Sequence, residues 1–349
     1  AFNPWTDIPY MSAEEAIKSL PKLEQHVHIV GSTKPETFLW LIEDSGSELP
    51  YETLEDLQEF YTYRNFPHFI EIYGKVNDTI NKESHYERIT YEMLESQAAC
   101  NVRHVEAIFS AWDHTRRGLD YGLMVDAINR GIGKAKRKWG VSCTIRIDLV
   151  RNYGPEIGMK ALDLIETKGD NILAIDTGGS EHGYPPAPYR DCYRRAREMG
   201  LHTVAHQGEG AGADYVWECI ETLKPERIGH GVAAGEEPRL MKTIAERGIA
   251  IECCPVSNLR TAAVSSWGRH PIRRFIENSI RVSVNSDDPP MFGTDMNNEY
   301  LQLHRNMGFT VEELFSVSMD SIETSFLQEE EKTRLRKEFT RGFEKLARS

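Results

Sequence analysis

No stretch of this 349-residue chain approaches the ~18 consecutive apolar residues of a membrane span, so a bilayer is not an expected partner. Positive charge is scarce as well. Lysine and arginine total 41 against 54 aspartates and glutamates, a formal net charge of −13. An acidic surface gains nothing from meeting a polyanion, which argues against nucleic acids and anionic membranes and leaves a small molecule as the partner. The six cysteines, Cys100, Cys143, Cys192, Cys219, Cys253 and Cys254, contain no C-x-x-C pair. That spacing argues against a cysteine zinc site or a disulfide framework and predicts buried free thiols. Internal repeats, low-complexity tracts and Ser/Gly-rich linkers are absent too, so residues 1–349 are expected to form one domain. The opening AFNPWTDIPYMSAEEAIKSL lacks a basic segment followed by an apolar one, and the cytoplasm is the expected compartment.

What the chain does contain is a rhythm. Short β-branched runs recur as LEQHVHIV, VRHVEAIFS, VSCTIRIDLV, NILAIDTGG, LHTVAHQGE, RIGHGV, IAIECCPVS and IRVSVNSDD, each with strand character. Between most of them lie amphipathic, charge-laced stretches such as YGLMVDAINRGIGKAKRKW, stopped by a following glycine, with helical spacing. Eight β-then-α alternations predict an α/β fold of the (β/α)8 TIM-barrel type, with an open doubly wound sheet as the alternative. Residues 33 to about 100 form a helical insertion after the first strand, too long for one helix and dense in aromatics (Trp40, Phe60, Tyr61, Tyr63, Phe66, Phe69, Tyr73). Its place at a strand's C-terminal end suits a cover for an active site. Ser12 to Glu15 reads as a capping box that opens a short helix before the first strand.

Side chains two apart on a strand face the same way, so His26 and His28 point to one side of the first strand. Two unpaired imidazoles in a barrel interior would be costly to desolvate. Polar groups recur at the ends of strands five, six and eight as His206, His230 and Asp287, and such ends converge on one mouth of a barrel. Several imidazoles with a carboxylate suit zinc, with iron or nickel as alternatives. A second, bridged ion would call for a bridging ligand such as a modified lysine after strand four, but that segment reads AIDTGGSE. One ion per chain is expected.

In order and spacing, HVH, VAHQGE, RIGHG and SVNSDDP resemble the motifs of the adenosine deaminase family, and the likeness runs from LPKLEQHVHIVGS to TSFLQEEEK. The resemblance implies that His26, His28, His206 and Asp287 hold one zinc ion, with water as a further ligand. It implies that His230 orients and deprotonates that water, and that Glu209 protonates the ring nitrogen beside the attacked carbon. Asp288 and the Gly179 amide would hold two other ring nitrogens of a purine. Glu181, His182 and Tyr184 are candidate rim residues, whereas His104 and His202 match no functional position and read as structural.

One departure bears on the substrate. Where the family's adenosine deaminases carry an acid, in HLDG, this chain has HIVG with Val30. The resemblance places that acid at the sugar's 5′-hydroxyl, a hydrogen bond that valine cannot accept. A free hydroxyl buried there would lose about 1 to 3 kcal/mol, whereas an apolar or extended 5′ group would not. The expected reaction is hydrolysis of a 6-aminopurine nucleoside, adenosine or a 5′-modified adenosine, to the 6-oxo product and ammonia. The alternatives are free adenine, an amide or ester, or a non-catalytic binding role. Glu209 and the second aspartate of the DDP motif, Asp288, weigh against amide hydrolysis, which needs neither a proton for a heterocycle nor a second ring contact.

Overall fold

The computed structural model describes residues 11–347. Each of the eight β-branched runs forms a strand: β1 (Lys22–His28), β2 (Val102–Phe109), β3 (Ser142–Asp148), β4 (Ile172–Asp176), β5 (His202–Gln207), β6 (Arg227–His230), β7 (Ala250–Cys253) and β8 (Val282–Val284). Neighbours pair in parallel in the order β1 to β8. Helices cover the outer face, so both faces are buried and the strands carry no simple in-and-out alternation. The ring closes at its mouth, where the segment after β8 folds onto β1. There the Asp287 N–H donates to the His26 carbonyl at 3.0 Å and the His28 N–H to the Asp287 carbonyl at 2.9 Å. This is a (β/α)8 barrel, and its closure sets Asp287 beside the two histidines of β1.

Helix α1 (Ala13–Ser19) opens on the expected box: the Glu15 N–H donates to Ser12 Oγ and the Ser12 N–H to Glu15 Oε2, satisfying two otherwise orphaned donors. Between β1 and β2 stand four helices, α2 (Pro35–Ser45), α3 (Leu54–Tyr61), α4 (Phe66–Thr79) and α5 (Glu83–Ala99). Pro35 starts α2, and the side chains of Thr53 and Asn65 cap α3 and α4. Helix α5 packs on β2 and on the helix Tyr121–Trp139. The approach is close enough that a Cβ on Gly131 would lie 2.6 Å from the Glu87 carbonyl oxygen. Helix α5 therefore occupies a place in the outer ring, and the excursion beyond that ring is α2 to α4.

Beneath the mouth the barrel interior is charged. Arg146 and Arg227 are 1% exposed, and both donate to Glu252 Oε2 at 2.7 Å. Arg146 also pairs with Asp176 at 3.1 Å, and Arg227 with Glu106 at 2.8 Å. Buried ions persist only when paired and hydrogen-bonded, a condition this layer meets. All six cysteines are free and buried. Among the described residues no helix is long and apolar enough to cross a membrane.

Candidate active site

His26 and His28 from β1, His206 from β5 and Asp287 after β8 offer ligand atoms that all lie within 4.8 Å of one another. Asp287 Oδ1 is 3.2 Å from the Nε2 atoms of both His26 and His28. The Nδ1 atoms of the deeper histidines are already engaged, His26 with Glu252 at 2.8 Å and His206 with Asp176 at 2.8 Å. A carboxylate on one ring nitrogen fixes the tautomer and turns the other nitrogen's lone pair to the cluster. His26 Nε2 and Asp287 Oδ1 are buried, face each other and have no hydrogen-bond partner. Two opposed lone-pair atoms are reconciled by a cation, so this donor set fits a metal ion.

Electrostatics agree with that fit. Burial opposes an imidazolium at His26, but Asp287 and Glu252 outweigh it and raise its pKa to about 10. Burial likewise opposes charge at His28, yet Asp288 and Asp287 raise it to about 9. The site thus attracts positive charge. Burial would raise the Asp176 carboxyl, but His206 and Arg146 hold it well below the usual range. Asp287 is held low by His26 and His28 against the same burial.

Above the cluster stand an acid and a base. Glu209 Oε2 lies 3.3 Å from His230 Nε2, and His230 Nε2 lies 3.8 Å from Asp287 Oδ2. Burial, with Asp287 and Glu181 as like charges, raises Glu209 to about 8, which favours the protonated acid. Burial also keeps His230 well below its ordinary value, hence neutral. Its Nδ1 lies 3.1 Å from Asn258 Nδ2, and Asn258 Oδ1 in turn contacts His270 Nε2 at 3.0 Å. His230 and Asp287 both take left-handed backbone, φ 66° and 63°, a conformation that concentrates at functional sites.

Asp288 is buried, and burial with its neighbour Asp287 raises it to about 8. A Cβ on Gly31 would fall 1.6 Å from Asp288 Oδ1, so only glycine leaves room for that carboxyl. Gly179, φ 85°, is confined in the same way, since a Cβ would meet Asn152 Oδ1 at 2.2 Å.

These groups line a cavity of about 790 Å³ at the barrel mouth. Phe66, Phe69, Ile70 and Tyr73 of α4 form one wall, and Ser110, Asp113, Asp148 and Asn152 form another. Glu181 and His182 are lining residues; Tyr184 is not, and it is 40% exposed. Val30 departs from expectation. It is 2% exposed, belongs to the hydrophobic core and does not line the cavity, because the turn Val30–Ser32 directs it inward. His202 stacks on Phe326, ring centroids 4.2 Å apart, and His104 Nδ1 lies 2.7 Å from Ser142 Oγ. Both sit near strand starts, away from the mouth. A cavity of about 810 Å³ also opens near the starts of β5 to β7, but no metal-ligating cluster is found there among the described residues.

Sequence reasoning did not identify Asp176, Glu252 or Asn258. The first two had a signal: each is an acid inside a run otherwise fit for burial, in LAID and AIEC, and a buried acid needs a partner.

The sequence profile of the family described as adenosine deaminase matches residues 21–341. An aminodeoxyfutalosine deaminase of Streptomyces coelicolor is 36% identical over 91% of this chain and 83% of its own length. The crystal structure of an adenine deaminase from Arthrobacter aurescens superposes with a TM-score of 0.88 at 31% identity, covering 92% of this chain and 98% of the other. An amidohydrolase from Burkholderia ambifaria with bound zinc gives a TM-score of 0.88 at 26% identity, over 98% of this chain and 96% of its own.

Proposed function

The chain belongs to the adenosine deaminase family and is a hydrolytic aminohydrolase, and from that premise we propose that it deaminates a 6-aminopurine carrying a sugar substituent, adenosine or a 5′-modified adenosine. The observation that carries this reading is the meeting of the ligand cluster with Glu209 and His230 at one cavity. His26, His28, His206 and Asp287 would hold one ion, and three imidazoles with a carboxylate suit zinc. When bound, such an ion lowers the pKa of water toward ~7 and so supplies a nucleophile at neutral pH.

The protein's own residues divide the remaining work. Asp288 and the Gly179 N–H hold the purine by its ring nitrogens. Glu209 gives its proton to the nitrogen beside the amino-bearing carbon, which removes aromaticity there and opens that carbon to attack. His230, held by Asn258, takes the proton from the attacking water and passes it to the amino group, which leaves as ammonia while the new hydroxyl's proton restores Glu209. The α4 wall excludes bulk water from the reacting centre.

A cavity of about 790 Å³ lies high in the ~300 to 1,000 Å³ range of ligand sites and leaves room for a sugar beside the base. Its polar wall of Ser110, Asp113, Asp148 and Asn152 suits hydroxyl groups, and its α4 wall suits an apolar extension. Free adenine is the second reading, and relatives' names favour it: the Arthrobacter aurescens protein and one from Acinetobacter baylyi, 33% identical over 92% of this chain and 97% of its own length, are both adenine deaminases. The test is kcat/KM of metal-loaded protein for adenine, adenosine and 5′-modified adenosines. Highest values for the nucleosides support the proposal, and a maximum at adenine replaces it with the second reading.

A further inference from the structure

Glu181 lies on the loop after β4, 6% exposed, and its carboxylate gathers five N–H donors from one stretch of chain. Oε1 accepts from the backbone N–H of Glu209 at 2.9 Å and of Gly210 at 3.2 Å. Oε2 accepts from the backbone of Gly208 at 2.9 Å and Ala211 at 3.1 Å, and from Gln207 Nε2 at 3.0 Å. These residues form the turn that leaves β5 and carries Glu209. On its other side the Glu181 loop is pinned to the end of β3: the Gly178 N–H donates to Asp148 Oδ1 at 2.6 Å and the Ser180 N–H to Asn152 Oδ1 at 2.8 Å. Gly179 sits between those two anchors.

We propose that Glu181 is a positioning residue, fixing the proton donor Glu209 relative to the ring contact at Gly179; this rests on the deaminase reading of the site. The chemistry requires a carboxylate. Its two oxygens offer about four acceptor sites and no proton, which five converging donors can share. Glutamine would set an NH2 group against two or three of those N–H donors and leave them unsatisfied, and carbonyl acceptors from backbone would need several aligned residues. A group carried by a loop holds its geometry only as well as the loop is held. A displacement of about 1 Å at a reacting group can cost on the order of 10²-fold in rate. The carboxylate has a second effect, since its like charge helps to keep Glu209 protonated.

The experiment compares E181Q with wild type, both metal-loaded, by metal content, by kcat and KM on the best purine substrate, by the pH profile and by amide hydrogen exchange. Expected are one ion per chain, KM within about 3-fold and kcat lower by about 10- to 100-fold. The alkaline limb of the profile should move to lower pH, and the amides of residues 208 to 211 should exchange at least about tenfold faster. Should E181Q not fold, E181D, which keeps the charge on a shorter arm, is measured for the same quantities, with the same fall in kcat and faster exchange expected and the alkaline limb unmoved. A kcat within about twofold of wild type, unchanged protection of those amides, or loss of the ion alongside the rate would each overturn the proposal. Wild type inert towards every purine would instead reject the functional reading, which keeps the two failures distinct.

Discussion

On the proposed reading Glu209 is the proton donor, the residue that joins the ion cluster to the ring of the substrate. Glu209→Gln keeps shape and hydrogen bonding but cannot deliver a proton, so the ion should stay and kcat should fall by about 10²-fold or more. Kinetics with parallel metal analysis decide it; loss of the ion would make Glu209 a ligand instead. The wild-type pH profile offers a second check. An acid with its pKa raised to about 8 is active below that value and inactive above it, so kcat/KM should fall with rising pH. A cation at the cluster pulls the value down, which places the limb at or below pH 8. Asp176 serves a different purpose, holding His206 Nδ1 at 2.8 Å. Asp176→Asn should weaken metal binding by about 10- to 100-fold in chelator competition, and unchanged affinity would remove it from the site.

Among the elements, α4 is the one whose contribution separates substrates. Ile70 lines the cavity yet is 52% exposed, so truncation leaves stability within roughly 0.5 kcal/mol. Ile70→Ala should lower kcat/KM for 5′-extended adenosines by about tenfold through lost apolar contact, and leave adenine nearly unchanged. Equal effects on both would show that α4 does not touch the substituent. The sequence exposed the strands because each joins β-branched residues to a polar terminus. It exposed His26, His28, His206, His230 and Asp287 because strand ends share one mouth. It could not show that Val30 turns inward, since a short turn's direction depends on the packing of α4 and the segment after β8 against it. Nor could it show Glu181 as an anchor. Five N–H donors from residues 207 to 211 have no signature in side-chain type, and only the fold brings β4 and β5 loops together.

At the scale of the whole molecule, the barrel is the means by which distant residues become one site. β1 supplies two imidazoles, β5 a third, and closure of the ring after β8 supplies the carboxylate. The charged layer of Arg146, Arg227 and Glu252 holds His26 from below through Glu252, so the deepest ligand rests on the barrel strands themselves. The central claim is that this assembly hydrolyses the 6-amino group of a purine with the cluster as its ion site. Its most direct test is ammonia release from a 6-aminopurine nucleoside by protein loaded with one equivalent of zinc, measured against an Asp287→Ala variant. One ammonia per molecule of 6-oxo product from wild type, and turnover lower by at least about 10²-fold in a variant that no longer retains the ion, is the result expected. No ammonia from any 6-aminopurine, or turnover that persists in Asp287→Ala, would contradict the account.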